Sequence, residues 1–187
     1  MNQHNEIFIA VDVEAAGPSP GKYSLLSLGA CLIADPERNF YIELQPTTPE
    51  MDPEAYAIHG LSLDHLNEYG LPPKDAMTQF EAWIHSVTPP EKAPVFVALN
   101  APFDWMFVND YFHRFLGRNP FGYAALDMKA LFMGLTRLPW AQANLRTMNE
   151  YYGEQHELAH HALRDAQDEA ILFQKMLTHA AGRQRDS

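Results

Sequence analysis

The chain has 187 residues, 47% of them hydrophobic, and a formal net charge of −11. This length and composition are sufficient for one domain with a sizeable core. Cys31 is the only cysteine, which excludes an internal disulfide and a zinc site made of cysteines, and suggests a reducing cytoplasm. The polar N-terminal residues lead directly into a short apolar run, so the sequence predicts neither a signal peptide nor a membrane span.

The charge is unevenly distributed along the chain. Its overall sign argues against long, tightly held nucleic acids, because Lys and Arg make most phosphate contacts. Between residues 114 and 146, however, five basic residues stand against Asp127 alone. Sequence does not say whether they share a face, so a basic patch and scattered surface charge both remain open. The five are Arg114, Arg118, Lys129, Arg137 and Arg146.

The first half of the chain predicts three strands. Residues 7–13 form an apolar run that is typical of a buried strand, and further strands are predicted over 25–33 and 39–44. The segment Asp35-Pro-Glu-Arg is predicted as the turn that joins the last two strands in a hairpin. Helices and strands then alternate, which favours an α/β domain.

The second half predicts helices around one more strand. A short helix is expected over 52–59, a longer one over 75–86, and a strand over 94–99 that leads into a helix over 102–116. A final helix carries an apolar stripe that should pack on the sheet. The stripe consists of Ala162, Ala166, Ala170, Phe173 and Leu177. We predict one domain over residues 1–181 and a frayed tail over 182–187.

Two acidic residues end the first predicted strand. Because side chains alternate along a strand, Asp12 and Glu14 point to the same side. Unpaired carboxylates that are removed from water cost several kcal/mol or become protonated, unless a cation joins them. For this pair alone, a metal site and a solvent-exposed strand end both remain open.

A third acidic residue, Asp104, follows the strand predicted over 94–99. Pro102 suits a first helical turn, and the helix dipole favours a carboxylate there, so a purely structural role is open. Asn100 lies in the connecting loop and has two interpretations. It either caps the helix or donates a hydrogen bond to a sugar hydroxyl.

The last predicted helix carries a fourth acidic residue, Asp165, between the small residues Ala162 and Ala166. Small neighbours allow the helix backbone to approach the sheet. His160 and His161 precede it, and a histidine that titrates near neutral pH is a natural general base. Four carboxylates from distant segments would be stable at one point only with bound cations, which indicates a two-metal phosphodiesterase.

Three motifs in this order resemble those of the DEDDh family of 3′–5′ exonucleases, which includes RNase T, oligoribonuclease and proofreading subunits. The resemblance extends over nearly the whole chain. The motif residues are Asp12, Glu14 and Gly17, then Asn100, Phe103 and Asp104, then His160, Ala162, Asp165 and Ala166. Two departures leave every acidic residue in place: Ala15-Ala16 where relatives often have Thr, and Ala98-Leu99 where Gly-His often precedes the Asn.

The resemblance implies an α/β fold of the ribonuclease H-like (DnaQ-like exonuclease) type, a mixed five-stranded sheet flanked by helices. It implies hydrolysis of phosphodiester bonds at the 3′ ends of single-stranded or short RNA or DNA, with two divalent cations, Mg²⁺ or Mn²⁺, and 5′-mononucleotides as products. Asp12 would bridge both cations, Glu14 and Asp165 would complete the first site, and Asp104 would act through water. The spacing to Asp165 favours His160 over His161 as the base.

Expected substrate contacts follow from the same resemblance. Backbone amides near Ala15 and Ala16 would recognise the 3′ end, and Asn100 would contact the sugar. Tyr23, His59 and Phe103 are candidates for stacking on bases, and a purely structural role remains open for each. Sequence does not distinguish RNA from DNA, because a contact to the 2′-hydroxyl leaves no readable motif. Relatives such as RNase T and oligoribonuclease suggest a homodimer, a question that the sequence itself leaves open.

Two alternatives remain. The string from His156 to His160 reads His-Glu-x-x-His, a zinc metalloprotease signature that requires both histidines on one helix. That interpretation explains neither Asp12 nor Asp104. The other alternative is a catalytically silent module that binds nucleic acid or a polymerase.

Overall fold

The computed structural model describes residues 5–183. One mixed sheet has the strand order β3-β2-β1-β4-β5. β1 pairs antiparallel with β2 and parallel with β4, which confirms the predicted mixed five-stranded α/β sheet. The strands are β1 (Glu6–Ala15), β2 (Leu25–Leu32), β3 (Asp35–Glu43), β4 (Ala93–Ala98) and β5 (Ala125–Asp127).

Seven α-helices flank this sheet within residues 5–183. They are α1 (Pro53–His59), α2 (Leu63–Tyr69), α3 (Pro73–Val87), α4 (Ala101–Leu116), α5 (Met128–Thr136), α6 (Leu145–Tyr152) and α7 (Ala162–Arg183), with a 3-10 turn at Trp140–Gln142. The predicted helices correspond to α1, α3, α4 and α7. Of the predicted tail, residues 184–187 lie outside the described part. No helix in that part combines the length and apolar composition that crossing a membrane requires.

The two faces of β1 have different partners, as the alternation of its side chains predicts. Ile9, Val11 and Val13 belong to the core that includes α3 and α4 residues such as Phe80 and Phe112. On the other face, the buried core joins β1 to α7. It contains Ala10, Ala166, Ala170 and Phe173. Asp12 and Glu14 therefore lie on the α7 side of the sheet.

The predicted turn at residues 35–38 was wrong. The chain turns at Ile33-Ala34, and β3 begins at Asp35. Cys31 pairs with Asn39 while Leu32 pairs with Asp35, so β3 contains extra residues at an irregularity. The Asn39 side-chain amide donates to the carbonyls of Pro36 and Glu37 at 3.3 and 3.1 Å. The turn-forming sequence therefore produces a bulge inside the strand.

Candidate active site

The end of β1 supplies the first two carboxylates of the candidate site. Burial, followed by repulsion from Asp104 and Glu169, raises the pKa of Asp12 well above its usual value. Burial also raises the pKa of Glu14, with a contribution from Asp165, to about 7. Both shifts mean that the charged carboxylates lack enough compensation from water or from positive groups.

A close contact between α7 and β2 brings the last helix to Asp12. A Cβ on Gly29 would lie 2.2 Å from the Leu163 nitrogen and 2.3 Å from the Ala162 carbonyl carbon. Only glycine leaves room for the helix backbone at this distance. Gly29 is the β2 partner of Asp12, so the contact places the beginning of α7 over the acidic end of β1.

Asp165, in the first turn of α7, organises the loop that precedes it. Its carboxylate accepts hydrogen bonds from the Ala159 N–H at 2.8 Å and the His161 N–H at 3.2 Å. Between these residues, His160 has a positive φ of 50°. One ligand atom each from Glu14, His160 and Asp165 lies within 4.8 Å of the other two. This trio is therefore a candidate metal and proton-transfer centre.

Asp104 reaches the same place from the first turn of α4. Its Oδ1 accepts a hydrogen bond from the Val13 N–H at 3.2 Å, which ties α4 to the strand between Asp12 and Glu14. The side chain is buried, and burial raises its pKa well above the usual value despite hydrogen bonds from its own N–H and from that of Val13. Asp104 is therefore, like Asp12 and Glu14, an acidic group with too little charge compensation.

These side chains line one cavity of about 520 Å³. Its lining includes Asp12, Glu14, Asn100, Phe103, Asp104, Lys129, Asn144, Arg146, Leu158, His160, Asp165 and Glu169. Five of these residues are acidic and buried or partly buried. Oxygen donors in this number and arrangement suit a hard divalent cation, which would relieve their mutual repulsion.

The model of the RNase T family, described as an exonuclease, matches residues 9–173 of the chain. The match includes both β1 acids and the segment from His160 to Asp165, which leads into α7. The chain belongs to the RNase T exonuclease family. The predicted DEDDh-family membership, nuclease activity and 3′–5′ direction are confirmed. Members of the DEDDh group use divalent metal ions.

One relative supports the same conclusion, and two solved structures share the fold. The 3′-5′ DNA exonuclease Cap18 of Escherichia coli is 45% identical over 178 residues, which cover 92% of each chain. The nuclease domain of 3′hExo, a DEDDh family member solved bound to rAMP, superposes with a TM-score of 0.76 at 15% identity and 95% and 94% coverage of the two chains. The zinc-bound E. coli ExoI–ssDNA complex superposes with a TM-score of 0.69 at 20% identity. The alignment covers 98% of this chain and 42% of that chain.

Some of the predicted substrate contacts of this exonuclease line a cavity, and Ala16 does not. Asn100 and Phe103 line the acidic cavity, and Ala15 lines a second cavity that adjoins it through Phe103. Ala16 differs, since it is fully buried and its N–H donates to the Ser24 carbonyl at 2.8 Å. The expectation that the Ala16 amide is available to substrate was therefore wrong, because the loop itself uses this donor.

His59 lies at the end of α1, close to the site. Its Nδ1 accepts a hydrogen bond from the Leu61 N–H at 3.0 Å, and the ring is partly buried. Burial lowers the pKa of His59, although a hydrogen bond with the Ala15 backbone partly opposes this shift, and repulsion from nearby His160 adds to it. His59 therefore favours the neutral form beside the candidate base.

Sequence reasoning missed Glu169, an acidic residue of the site, and Asp127, which positions the helices beside it. Glu169 is only 3% exposed on the cavity wall, and burial, followed by repulsion from Asp104, raises its pKa. Its position four residues after Asp165, on the same helical face, was the available signal. Asp127 accepts hydrogen bonds from the Ala101 N–H at 2.8 Å and the Ala130 N–H at 2.7 Å, so it caps α5 and fixes the start of α4.

The metalloprotease alternative is contradicted by the backbone. Residues 154–161 contain no helix, so His156 and His160 do not share the helical face that this zinc signature needs. His156 Nδ1 lies 2.9 Å from an Asp168 oxygen, and its Nε2 lies 3.4 Å from Glu154. His156 therefore joins two segments of the protein and is separate from the acidic cavity.

The five basic residues of the 114–146 stretch do not form one patch. Arg114 pairs with Asp110 within α4, and Arg118 donates two hydrogen bonds to Glu81 of α3, at 2.8 and 2.7 Å. Only Lys129 and Arg146 line the acidic cavity.

Proposed function

We propose that this exonuclease removes nucleotides from the 3′ ends of single-stranded DNA with two bound divalent cations, Mg²⁺ or Mn²⁺, and releases 5′-mononucleotides. The observation that carries the proposal is the convergence of four acidic residues and one histidine on a single cavity. They are Asp12, Glu14, Asp104, Asp165 and His160. DNA is preferred over RNA because the relative at 45% identity is described as a DNA exonuclease.

The residues present fit a pair of divalent cations. The raised pKa values of Asp12 and Asp104 follow from burial together with repulsion between acidic neighbours. One oxygen of Glu169, Oε2, is buried without a hydrogen-bond partner in the described structure. The cations would be held by Asp12, Glu14, Asp104 and Asp165. Glu169 lies on the wall of the same cavity. Cations in this place would stabilise the charge that develops on the attacking and leaving oxygens of the phosphodiester.

Each side chain then has a task in the hydrolysis. His160, beside Glu14 and Asp165, would accept the proton of the water that attacks the terminal phosphorus. The bond from phosphorus to the 3′ oxygen of the preceding nucleotide breaks, and that oxygen takes up a proton. The terminal nucleotide leaves as a 5′-monophosphate. Asn100, whose side chain makes no capping hydrogen bond, would bind the 3′-hydroxyl of the terminal sugar.

The terminal nucleotide would lie between the two adjoining cavities. The second cavity, of about 320 Å³, is lined by Ala15, Gly17, Asp52, Ile58 and other residues of the α1 region. Phe103 contributes to both cavities, so its ring is placed to contact the terminal base. Asp52 and Glu54 on this wall would repel a further phosphate, which suits a free 3′ end.

A hydrolysis assay tests this function. Single-stranded dT20 and U20, labelled at the 5′ end, would be incubated with Mn²⁺, with Mg²⁺ or with EDTA. We expect a ladder that shortens from the 3′ end, release of dTMP, no cleavage in EDTA and no cleavage by Asp12→Asn. Failure of wild type to release mononucleotides from either polymer, or full activity in Asp12→Asn, would contradict the proposal. Faster cleavage of U20 would assign the enzyme to RNA.

The remaining expectations belong to the same proposal. We infer a single exonuclease domain over residues 1–181 that acts in the cytoplasm as a homodimer. Sedimentation velocity of the purified protein would report its oligomeric state.

A further inference from the structure

We propose that Lys129, Trp140 and Arg146 hold the DNA strand on the 5′ side of the scissile phosphate. These three residues, called the α5–α6 rim below, belong to α5, the 3-10 turn and α6. The inference rests on the proposed function of the cavity and deepens it, because it assigns the route by which the rest of the strand leaves. Two features support it: a cation and an aromatic ring in contact, and opposite charges on the two sides of the site.

Lys129 and Trp140 form the first part of the rim. Lys129 lies in the first turn of α5, directly after β5, and lines the acidic cavity. Its Nζ is 4.5 Å from the ring centroid of Trp140, and the Trp140 side chain is 51% exposed. An exposed indole beside an ammonium group offers a stacking surface for a base next to a charge for its phosphate.

Arg146 forms the second part, in the first turn of α6. It lines the same cavity, and its side chain is 88% exposed. Its Nε lies 3.0 Å from Glu150, an exposed pair four residues apart on one helix. Such pairs contribute little to stability, so Arg146 can exchange this carboxylate for a phosphate at small cost. Leu145 and Leu158 connect this wall with an adjoining groove.

The charges on the two sides of the cavity give the strand a direction. The α1 side presents Asp52 and Glu54, whereas the cavity wall formed by α5 and α6 presents Lys129 and Arg146. Glu150, which pairs with Arg146, and Glu157 line the adjoining groove but not this wall. A 3′-terminal nucleotide has phosphate only on its 5′ side. Its free end is therefore compatible with the acidic wall, and the phosphate chain is attracted to the rim.

A binding experiment tests the rim without requiring catalysis. Fluorescein-labelled dT20 would be titrated with protein in EDTA at several salt concentrations, with anisotropy as the readout. For single strands the slope of log K against log salt changes by about 0.7 per phosphate contact. We expect Lys129→Ala/Arg146→Ala to flatten the slope by about 1.4. Arg38→Ala/Lys92→Ala removes the same charge from exposed positions away from the cavity and should leave the slope unchanged.

Trp140 provides a separate test of stacking. Trp140→Ala should weaken dT20 binding about ten-fold, as expected for one lost base contact, and Trp140→Phe should restore most of the affinity. A loss that Phe does not restore would overturn the stacking role.

Hydrolysis then distinguishes the rim from the site itself. On dT20 the Lys129→Ala/Arg146→Ala variant should lose kcat/KM in proportion to its lost affinity. The loss should be smaller on the p-nitrophenyl ester of dTMP, in which no nucleotide lies on the 5′ side of the scissile phosphate. Equal slopes for rim and control variants, or an equal loss on this ester and on dT20, would overturn the inference. A wild type that binds dT20 through the rim but does not cleave it would instead overturn the proposed function.

Discussion

The adjacent residues His160 and His161 have different surroundings. His160 lines the acidic cavity, where one of its ring nitrogens approaches carboxylate oxygens of Glu14 and Asp165. His161 stacks on Tyr41, with ring centroids 4.6 Å apart. Spacing alone favoured His160 as the base, and the structure adds a physical reason: only His160 is among the residues that line the cavity.

This difference predicts unequal effects of two alanine substitutions. His160→Ala should lower kcat on dT20 by about 100- to 10,000-fold, the usual contribution of a general base, with little change in melting temperature. His161→Ala removes a stacking contact but leaves the backbone N–H that binds Asp165, so its kcat should stay within a few-fold of wild type. Steady-state kinetics and thermal unfolding of both variants would check this. Equal loss of kcat in the two would contradict the assignment.

At the scale of whole elements, the contact of α7 with Gly29 predicts a steric effect. Gly29→Ala would force the added methyl group against the Leu163 backbone, so α7 must move away from β2. Overpacking of this kind lowers the free energy of unfolding by about 1–3 kcal/mol, and here it also separates Asp165 from Asp12. We expect loss of both stability and kcat, measured by urea unfolding and by cleavage of dT20.

Gly134→Ala is the matched control for this substitution. Gly134 is in α5, and an added Cβ there meets nothing within 4 Å. Alanine favours a helix over glycine by up to about 1 kcal/mol, so this variant should be equally or more stable. A Gly29→Ala protein with wild-type stability would show that α7 tolerates displacement.

The loop between α6 and α7, residues 154–161, is held from both sides. The Asn149 side-chain amide donates to the His156 carbonyl at 2.7 Å, and the His156 ring lies 2.9 Å from Asp168 of α7. Lys175, also of α7, contacts Glu154. These contacts give His156 a positioning role, because they fix the loop that carries His160.

His156→Ala should therefore reduce kcat more than it alters KM. A displacement of about 1 Å at a catalytic group can cost about 100-fold in rate, and a loss of about 10- to 100-fold is expected here. Glu157→Ala, an exposed position in the same loop, should leave kcat unchanged. A larger loss of kcat at Glu157 than at His156 would contradict this positioning role.

Elements with strong local signals were predictable. β1 combines an apolar run with terminal acids, and α7 carries a long apolar stripe, so both could be identified from the sequence. β5 has only three residues, while α2, α5 and α6 have seven, nine and eight, too few to show a clear period. Their positions depend on tertiary contacts, such as the two hydrogen bonds through which Asp127 joins β5 to α4 and α5.

At the scale of the whole molecule, the acidic cavity links stability to metal and pH. Burial raises the pKa values of Asp12 and Asp104, and that of Glu14 to about 7. A carboxyl whose pKa is raised by folding binds its proton more tightly in the folded state. The stabilisation is therefore present below the unfolded pKa of about 4 and is lost as pH rises through the folded pKa.

Divalent cations should replace these protons. We expect Mn²⁺ to raise the melting temperature more at pH 8 than at pH 5, because the ligands must ionise to bind it. Thermal unfolding followed by circular dichroism, with Mn²⁺ or with EDTA, would measure both dependences. Asp12→Asn should show a smaller response to Mn²⁺. A melting temperature at pH 8 that does not depend on Mn²⁺ would contradict this expectation.

The candidate site was predictable where its residues form motifs and was missed where they do not. Asp12, Asp104 and Asp165 could be identified from the sequence because each belongs to a short motif of the family. The position of Gly29 opposite Asp12 and the contact between Lys129 and Trp140 are set by pairing and packing between segments distant in sequence. Such proximity has no local signature, so a coordinate structure was needed to find it.

The docking of α7 onto Gly29 has a consequence during synthesis. Asp12, Glu14 and Asp104 are synthesised before His160 and Asp165, because they precede them in the chain. A polypeptide that stops before residue 160 would therefore lack the candidate base and one of the four acidic ligands. Such a fragment should not hydrolyse DNA, so nuclease activity would depend on translation having passed α7.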